Sequence, residues 1–266
     1  MMDWLRTGRL GNLSLVRSNL PALLGLFLPL VAGLATQPAA LILHLATTLV
    51  VTLFWQWVFA RVRKQNAGTE GFVTAVVVAL LVPAEAPVWQ LMLGTTFGIV
   101  LGELVFGGRG RNFVHPAVVA LTFLMFSFAE IPYRTGPELP AWTVVPALVL
   151  LIGSGQASWR LLLGAALGIV LLGWANGAVE PWAPLLRGSV LLALVFLAAD
   201  PVASSSTNWG RPIYGLLIGV LAGLFSTTGA MFGATIFAIL LGSIFAPLVD
   251  HLVVLVHMRW REGRSG

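Results

Sequence analysis

Long apolar runs separated by short polar segments dominate this chain from residue 20 to residue 256. Several of the runs fall short of the roughly 20 residues that a straight helix needs to cross about 30 Å of hydrocarbon, which predicts broken or half-spanning helices. The ten runs are 20–36, 39–60, 72–82, 88–106, 114–128, 142–152, 159–174, 188–199, 212–225 and 230–256. The pattern predicts an all-α integral membrane protein with about ten transmembrane helices.

Composition supports this fold class and narrows the chemistry. Hydrophobic residues make up 58% and charged residues 9% of the 266 residues, whereas about 25% of the residues of a soluble domain are charged. A water-soluble fold is therefore excluded. The chain contains no cysteine, so it supplies neither thiolate ligands for an iron–sulfur cluster nor a cysteine nucleophile. The net charge of +5 comes from basic residues in short loops, so we expect no nucleic-acid partner.

Lysine and arginine indicate the orientation, because they concentrate in short loops on the cytoplasmic side. With ten spans and a cytoplasmic N-terminus, only Arg134 and Arg187 of the 15 basic residues face the other side, together with Glu130 and three further glutamates. We therefore predict a multi-pass protein of the cell (inner) membrane with both termini in the cytoplasm. The predicted organisation is an N-terminal arm (1–19), a five-helix repeat (20–129), a non-cytoplasmic loop (130–141), a second repeat (142–256) and a cytoplasmic tail (257–266).

The order of the elements indicates an internal duplication. A short span ending at a proline turn, a glycine-spaced helix, a glycine-containing loop and another helix occur at residues 72–128 and again at 188–247. Small residues four apart are also ordinary in packed membrane helices, so this spacing alone leaves both interpretations open. Two units of five spans have opposite orientations because five is odd, which predicts an inverted repeat. The glycines with this spacing are Gly94, Gly98 and Gly102, and Gly215, Gly219 and Gly223.

The segment FGGRGRNFVHP at residues 106–116 joins two predicted spans. Its glycines and arginines could present backbone N–H groups and guanidinium donors to an anionic or electron-rich ligand at the start of the next helix. A cytoplasmic turn with positive-inside arginines explains the same residues, and spacing alone favours that simpler interpretation. No Gly-Lys-Ser/Thr follows, so the segment is not a phosphate-binding loop of the NTPase type.

The segment DPVASSSTNWGRPIYG at residues 200–215 combines six hydroxyl or amide side chains with one carboxylate and one arginine at the membrane boundary. Such a set can hydrogen-bond the edge of a planar heterocycle. A hydrophilic turn with helix-capping residues is an equal alternative on physical grounds.

Both segments resemble one family. The first is similar to its GG-x-G-R-N-F-x-x-P stretch, and the second, with FAPLVDH at residues 245–251, is similar to its DP…T-N-x-GR-x-IYG-x-LIG…APL-x-D stretch. The family comprises the NqrB subunit of the sodium-pumping NADH:quinone reductase and the RnfD subunit of the Rnf electron-transport complex. The similarity extends from about residue 71 to residue 251. It implies ten spans in two inverted repeats, a flavin cofactor and redox-driven sodium or proton transport.

The resemblance also implies roles for particular residues. It implies a loop close to a cofactor or quinone at Gly107, Gly108, Arg109 and Asn112. It implies a flavin-side cluster at Asp200, Thr207, Asn208 and Arg211. No residue is implied as catalytic or as a metal ligand.

Four further ionisable residues lie in or beside the predicted spans. Glu103 and Asp250 are predicted ion-route residues, because carboxylates in a membrane are costly and usually mark an ion route or an internal partner. Helix capping or solvation at the membrane interface is an equal alternative for Asp250. His115 stands where the family has asparagine before proline. His44 lies alone in an apolar run, and we predict that it is packed and hydrogen-bonded and does not bind a metal.

The chain also departs from the family. Members carry a flavin mononucleotide on the threonine of a Ser-Gly-Ala-Thr segment between the halves, whereas this chain has IPYRTGPELP at residues 131–140, where Thr135 lacks that context. A second family stretch, GSIGETS, is reduced to GSGQAS at residues 153–158. We therefore expect no covalent flavin, and a non-covalent flavin, either riboflavin or flavin mononucleotide, remains the expected cofactor.

These features predict a membrane subunit of a multi-subunit, redox-driven electron-transport complex that relays electrons through bound flavin and is coupled to Na⁺ or H⁺ translocation. Its expected partners are the other membrane and redox subunits, the lipid bilayer and quinone. Two alternatives stay open: a redox-free inverted-repeat transporter or channel, and a membrane scaffold for redox partners.

Overall fold

The computed structural model describes residues 3–64, 71–128 and 131–265, with side chains described for 19–64, 71–128 and 133–259. Across these residues the chain is helical and carries no strand, apart from an isolated bridge between Pro140 and Arg187. Six charged residues used in the topology argument lie outside the described side chains: Arg6, Arg9, Arg17, Glu130, Arg261 and Arg264. The outer ends of the predicted arm and tail lie outside the description as well.

Within the described residues, the first half of the chain contains five helices. They are α1 (Asp3–Thr36), α2 (Pro38–Arg63), α3 (Gly71–Leu81), α4 (Val88–Ile99), which continues into a π-helical turn (Val100–Leu104), and α5 (Pro116–Ser127). The short helix α6 (Ile131–Thr135) and a 3₁₀ turn (Ala141–Thr143) connect the halves.

The second half again has five main helices within the described residues, although its π-helical turn follows α9, whereas that of the first half follows α4. It contains α7 (Val145–Gly153), α8 (Trp159–Ala175), a 3₁₀ turn (Ala183–Leu186), α9 (Gly188–Ala193), which continues into a second π-helical turn (Leu194–Ala198), α10 (Gly210–Ser226) and α11 (Met231–Ser265).

Each of the ten apolar runs corresponds to one helix of the described chain. Three helical segments within it are long and apolar enough to cross a membrane alone, namely Asn19–Thr36, Pro38–Arg63 and Met231–Arg259. The other seven are apolar and shorter. The polar segment before residue 20 is not a separate element in its described part, because α1 runs through it from Asp3. The predicted all-α membrane fold with short helices is confirmed.

Two half-length helices lie at the centre of the molecule. At about 1.5 Å per residue, the 11 residues of α3 span about 16 Å, half the thickness of the hydrocarbon. The side chains of α3 and α9 are buried along nearly their whole length, so protein rather than lipid surrounds their ends, as backbone polar groups at that depth require. Pro83 follows α3 and Pro201 follows α9, and a proline disfavours helical conformation in the residue before it.

Helix contacts repeat between the halves. The pairs α2–α4, α4–α5 and α3–α5 are matched by α8–α10, α10–α11 and α9–α11. The halves meet through α1–α7 and α5–α11, which pair each helix with its own counterpart. A pseudo-two-fold axis between these pairs accounts for this pattern, and an odd number of spans in each half gives the two units opposite orientations.

The two glycine rows, however, are not structural equivalents. On α4, Gly94 faces Leu124 and Gly98 faces the Pro116 carbonyl of α5. On α10, Gly215 and Gly219 instead face backbone carbonyls of α8. The shared spacing therefore reflects close helix packing in general, and the evidence for duplication is the matching order of whole elements.

Candidate functional site

The first polar loop is built on glycines with left-handed backbone. Gly107, Gly108 and Gly110 have φ values of +117°, +96° and +90°, which a side chain would strain. The Gly108 N–H donates to the Glu103 carbonyl at 3.1 Å, so the loop folds back onto the π-helical turn that precedes it. Turns of π-helix are rare in proteins, and those that occur are often found at functional sites. This junction is therefore a candidate site.

Asn112 and His115 shape the second half of this loop. The Asn112 side chain is buried, accepts from the Gly110 N–H at 3.2 Å and donates to the Val114 carbonyl at 3.0 Å. His115 Nδ1 accepts from the Ala117 N–H at 3.2 Å and so caps α5. This contact requires an unprotonated Nδ1, and it is the contact that an asparagine makes at such a position. His115 can thus replace asparagine here as a helix cap.

The second polar loop meets the first through an ion pair. Arg109 Nη2 lies 3.2 Å from Asp200 Oδ1, joining residues 91 positions apart. The Asp200 side chain is only 4% exposed, and its other oxygen accepts from the Ala203 N–H at 3.2 Å. Sequence patterns left open whether the two loops meet, and the structure brings them together.

A cavity of about 220 Å³ lies beside this ion pair. It is bordered by α1, α3, α7, the π-helical turn after α9, the segment 153–158 and both polar loops, and so lies where the two repeats meet. Its polar lining residues are Asn19, Arg109, His115, Gln156 and Asp200. We call it the inter-repeat cavity.

Sequence reasoning missed two of these residues. Asn19 is buried, and its Nδ2 has no hydrogen-bond partner among the described groups. It directly precedes the first apolar run, so a polar residue at a span boundary was the available signal. Gln156 belongs to the segment 153–158, which was noted because it departs from the family pattern. That departure gave no indication that the Gln156 side chain reaches the cavity.

The other members of the predicted flavin-side cluster lie on the next turn. None of Thr207, Asn208 and Arg211 lines the inter-repeat cavity. Thr207 accepts from the Gly210 N–H at 3.0 Å at the start of α10, and Asn208 is exposed. The predicted cluster is therefore divided, with Asp200 at the cavity and the other three residues around the start of α10.

Asp250, in the middle of α11, hydrogen-bonds to the turn that precedes α10. It accepts hydrogen bonds from the Ser205 hydroxyl at 2.5 Å and the Thr207 hydroxyl at 2.6 Å, and from the backbone N–H groups of Ser206 and Thr207 at 2.9 and 3.1 Å. These contacts fix the turn before α10, and their backbone donors precede the helix itself, so the capping, interface and ion-route roles of Asp250 all stay predictions.

We expect Asp250→Ala to destabilise the protein strongly. The substitution removes a charged acceptor from several donors at once, and one hydrogen bond to a charged group is worth about 1.5–3 kcal/mol. We expect a loss of about 3 kcal/mol in the free energy of unfolding, measured by denaturant titration in detergent. The neighbouring variant His251→Ala, at an exposed position, should change stability little. Equal losses in both variants would contradict this role.

Glu103 lies in the first π-helical turn and is buried. It does not line the inter-repeat cavity. The Arg63 guanidinium donates to the carbonyl of Leu104, the residue after Glu103. The positive charge of Arg63 therefore lies near this turn. Burial of a carboxylate at this depth keeps Glu103 a predicted ion-route residue.

A second polar cavity, of about 160 Å³, lies at the other end of α3. Gln37, His44 and Glu138 line it together with apolar residues of α1 and α3. His44 is 2% exposed, and its Nε2 lies 3.4 Å from the Ala86 carbonyl, which confirms the predicted packed and hydrogen-bonded histidine. Throughout residues 3–64, 71–128 and 131–265, no group of three His, Asp or Glu residues is arranged to hold a metal ion.

Comparison with known proteins places this arrangement in a family. The sequence profile described as "NQR2, RnfD, RnfE family" matches residues 11–134 and again residues 131–258. The chain is 31% identical to the B subunit of the Na(+)-translocating NADH-quinone reductase of Pseudomonas aeruginosa (strain LESB58), over 83% of this chain and 68% of that protein. The B subunits of the same reductase from Ectopseudomonas mendocina and Yersinia pestis are 32% and 31% identical over the same shares. With two matches that together span almost its whole length, this chain belongs to the NQR2, RnfD, RnfE family.

Proposed function

We propose that this chain is a membrane subunit of a multi-subunit, redox-driven electron-transport complex. The observation that carries the proposal is the inter-repeat cavity, where the Arg109–Asp200 pair joins the two loops that resemble the family's motifs. The names of the relatives identify them as subunits of a reductase that uses NADH and quinone and translocates sodium. The absence of cysteine in the chain means that iron–sulfur clusters, and the electrons they carry, have to come from partner subunits.

The polar lining of the cavity suits the edge of a non-covalent flavin ring. Asn19 and Gln156 supply amide donors and acceptors, Asp200 an acceptor and Arg109 a fixed positive charge. The volume of about 220 Å³ is below the roughly 300–1,000 Å³ of sites that enclose a drug-sized ligand. The cavity therefore suits one part of a riboflavin or flavin mononucleotide, and we assign the ring edge to it. A bound flavin supplies one- and two-electron transfer.

The residues around the cavity each have a task in this proposal. Arg109 binds the electron-rich edge and stabilises negative charge there, because a guanidinium stays protonated at all relevant pH values. Asp200 orients the guanidinium and lowers the cost of its burial. Asn19, with an unpaired amide nitrogen among the described groups, donates to a ligand oxygen.

Two polar cavities at opposite ends of α3 support coupled movement of a small cation. Val73 borders the inter-repeat cavity and Leu80 the second cavity. Between them, Val77 of α3 and Leu26 of α1 are fully buried, which leaves an apolar barrier. A cation, Na⁺ or H⁺, would have to pass this barrier, so we propose that the redox step at the Arg109 end opens it.

We also propose the membrane topology that the distribution of basic residues predicts. The two five-helix repeats would occupy residues 20–129 and 142–256, with both polar loops and both termini on the cytoplasmic side of the inner membrane. This orientation places the flavin edge where soluble partner domains could deliver electrons.

The decisive measurement is a visible absorption spectrum of the detergent-purified complex before and after acid precipitation, with the chromophore identified by mass. We expect flavin that acid releases, and we expect Arg109→Met to lose it. Arg160→Met is the matched control, because Arg160 is exposed, lies in the first turn of α8 at the cytoplasmic end in the proposed topology, and does not line the cavity.

Each other outcome has a definite meaning. Flavin retained after acid would contradict the non-covalent cofactor. Colourless protein that moves a solute in liposomes would favour the redox-free transporter. Colourless protein without transport, in which Thr207→Ala and Arg211→Gln change no redox rate of the complex, would favour the scaffold.

A further inference from the structure

A long apolar groove lies on the membrane face opposite the inter-repeat cavity. Its volume is about 540 Å³, and α5, the end of α10, α11 and Arg134 border it. Both α5 and α10 begin beside the polar loops and run away from them, so their far ends mark the opposite face. This groove shares no lining residue with the inter-repeat cavity.

Small residues form the floor of the groove and aromatic residues form its walls. Ala230, just before α11, and Gly233 and Ala234 of α11 leave the floor without bulky side chains. Phe126 of α5 and Phe237 of α11 stand beside it with ring centroids 6.1 Å apart. Phe126 is 79% exposed, so this wall faces the surrounding medium. The cross-section suits a slender apolar chain.

The length of the groove matches one leaflet of a bilayer. Its lining on α11 extends from Gly233 to Ile244, which is about 16 Å of helix at about 1.5 Å per residue. One leaflet contributes about 15 Å of hydrocarbon. An extended acyl chain fits this length, whereas a compact solute would leave most of the groove unfilled.

Arg134 gives the groove one charged end. The residue is exposed on α6, and its backbone packs against α11 at Gly233, where an added Cβ would lie 3.2 Å from the Arg134 carbonyl. Among the described residues Arg134 forms no ion pair. Arginine presents a planar fork of donors that matches phosphate oxygens.

We propose that this groove binds one phospholipid with an anionic head group. The head-group phosphate pairs with Arg134, and one acyl chain lies along the small-residue floor of α11. The bound lipid covers the junction of α5 with α11, where the two repeats meet, and so it stabilises the pairing of the repeats.

The proposal is tested by native mass spectrometry of the purified full-length protein titrated with phosphatidylglycerol or phosphatidylcholine in mixed micelles. We expect one tightly bound phosphatidylglycerol and at least tenfold weaker binding of phosphatidylcholine. Arg134→Gln should weaken phosphatidylglycerol binding about tenfold. Arg187→Gln removes the same charge at an exposed position outside the groove and should leave binding unchanged.

A second pair of variants tests the apolar part. Leu241→Trp adds bulk inside the groove and should also weaken binding about tenfold, whereas Leu248→Trp alters an exposed position of α11 outside it and should not. Equal binding of the two lipids, or equal effects of Arg134→Gln and Arg187→Gln, would overturn the proposal. A photo-crosslinker at position 126 that labels a neighbouring subunit in the intact complex, and no lipid, would overturn it too.

Discussion

Gly215→Ala should cost about 3 kcal/mol of unfolding free energy, although alanine favours helices more than glycine does. A Cβ at position 215 would overlap the Leu161 carbonyl of α8, and a backbone oxygen cannot rotate away as a side chain can. Gly219 approaches the Ala165 carbonyl in the same way, so α8 and α10 would have to separate along their whole contact. Overpacking of this kind typically costs about 1–3 kcal/mol, and a rigid backbone contact belongs at the upper end.

Gly153→Ala is the matched control for this prediction. A Cβ at position 153, the last residue of α7, meets nothing within 4 Å. We expect no loss there and a gain of up to about 1 kcal/mol from helix propensity. Denaturant titration in detergent measures both variants. Similar stabilities for Gly215→Ala and Gly153→Ala would show that α8 and α10 do not pack backbone to backbone.

Arg109→Met should destabilise the protein by about 3–5 kcal/mol, and replacing Asp200 as well should restore part of that loss. The single variant leaves a carboxylate that is 4% exposed without its cation, and an uncompensated buried charge is costly. The double variant Arg109→Met with Asp200→Asn removes both charges, while the asparagine can still accept from the Ala203 N–H, as Asp200 does. A loss of about 1–2 kcal/mol is expected for the pair.

This double-mutant cycle separates stability from cofactor binding. Both the single and the double variants should lose flavin, because each removes the guanidinium from the inter-repeat cavity, whereas only the single variant should be strongly destabilised. If the losses of unfolding free energy in Arg109→Met and Asp200→Asn add up to the loss in the double variant, then Arg109 and Asp200 are not coupled. The two loops would then not meet as described.

The helices themselves were largely predictable from the sequence. Ten apolar runs became ten helices of the described chain, because the hydrocarbon core selects apolar residues position by position and permits only internally hydrogen-bonded backbone. The runs that became α3 and α9 were among several that are too short for a straight span, and so were candidates for half-spanning helices, since the length of a run is a local property. The duplication followed from the order of elements.

The candidate site was predictable in its parts and not in its assembly. The polar segments at residues 106–116 and 200–215 stood out in an apolar chain, and Arg109 and Asp200 were both among the residues singled out. Asn19 and Gln156 were missed, because a single polar residue at a span boundary is usually explained by the boundary itself. Thr207, Asn208 and Arg211 were grouped with Asp200 by proximity in the chain, and the turn at residues 200–210 separates them.

By itself, the sequence determined the membrane class, the ten helices, their duplication and the two polar loops, because hydropathy, proline positions and glycine content act locally along the chain. Tertiary structure alone decided that Arg109 meets Asp200, that Asp250 holds the turn before α10, and that the glycines of α4 and α10 face different neighbours. These contacts join segments far apart in the chain, and the fit of whole helices against one another selects them. A periodic pattern on one helix indicates which face of that helix is packed. Only the tertiary structure shows which neighbouring helix packs against that face.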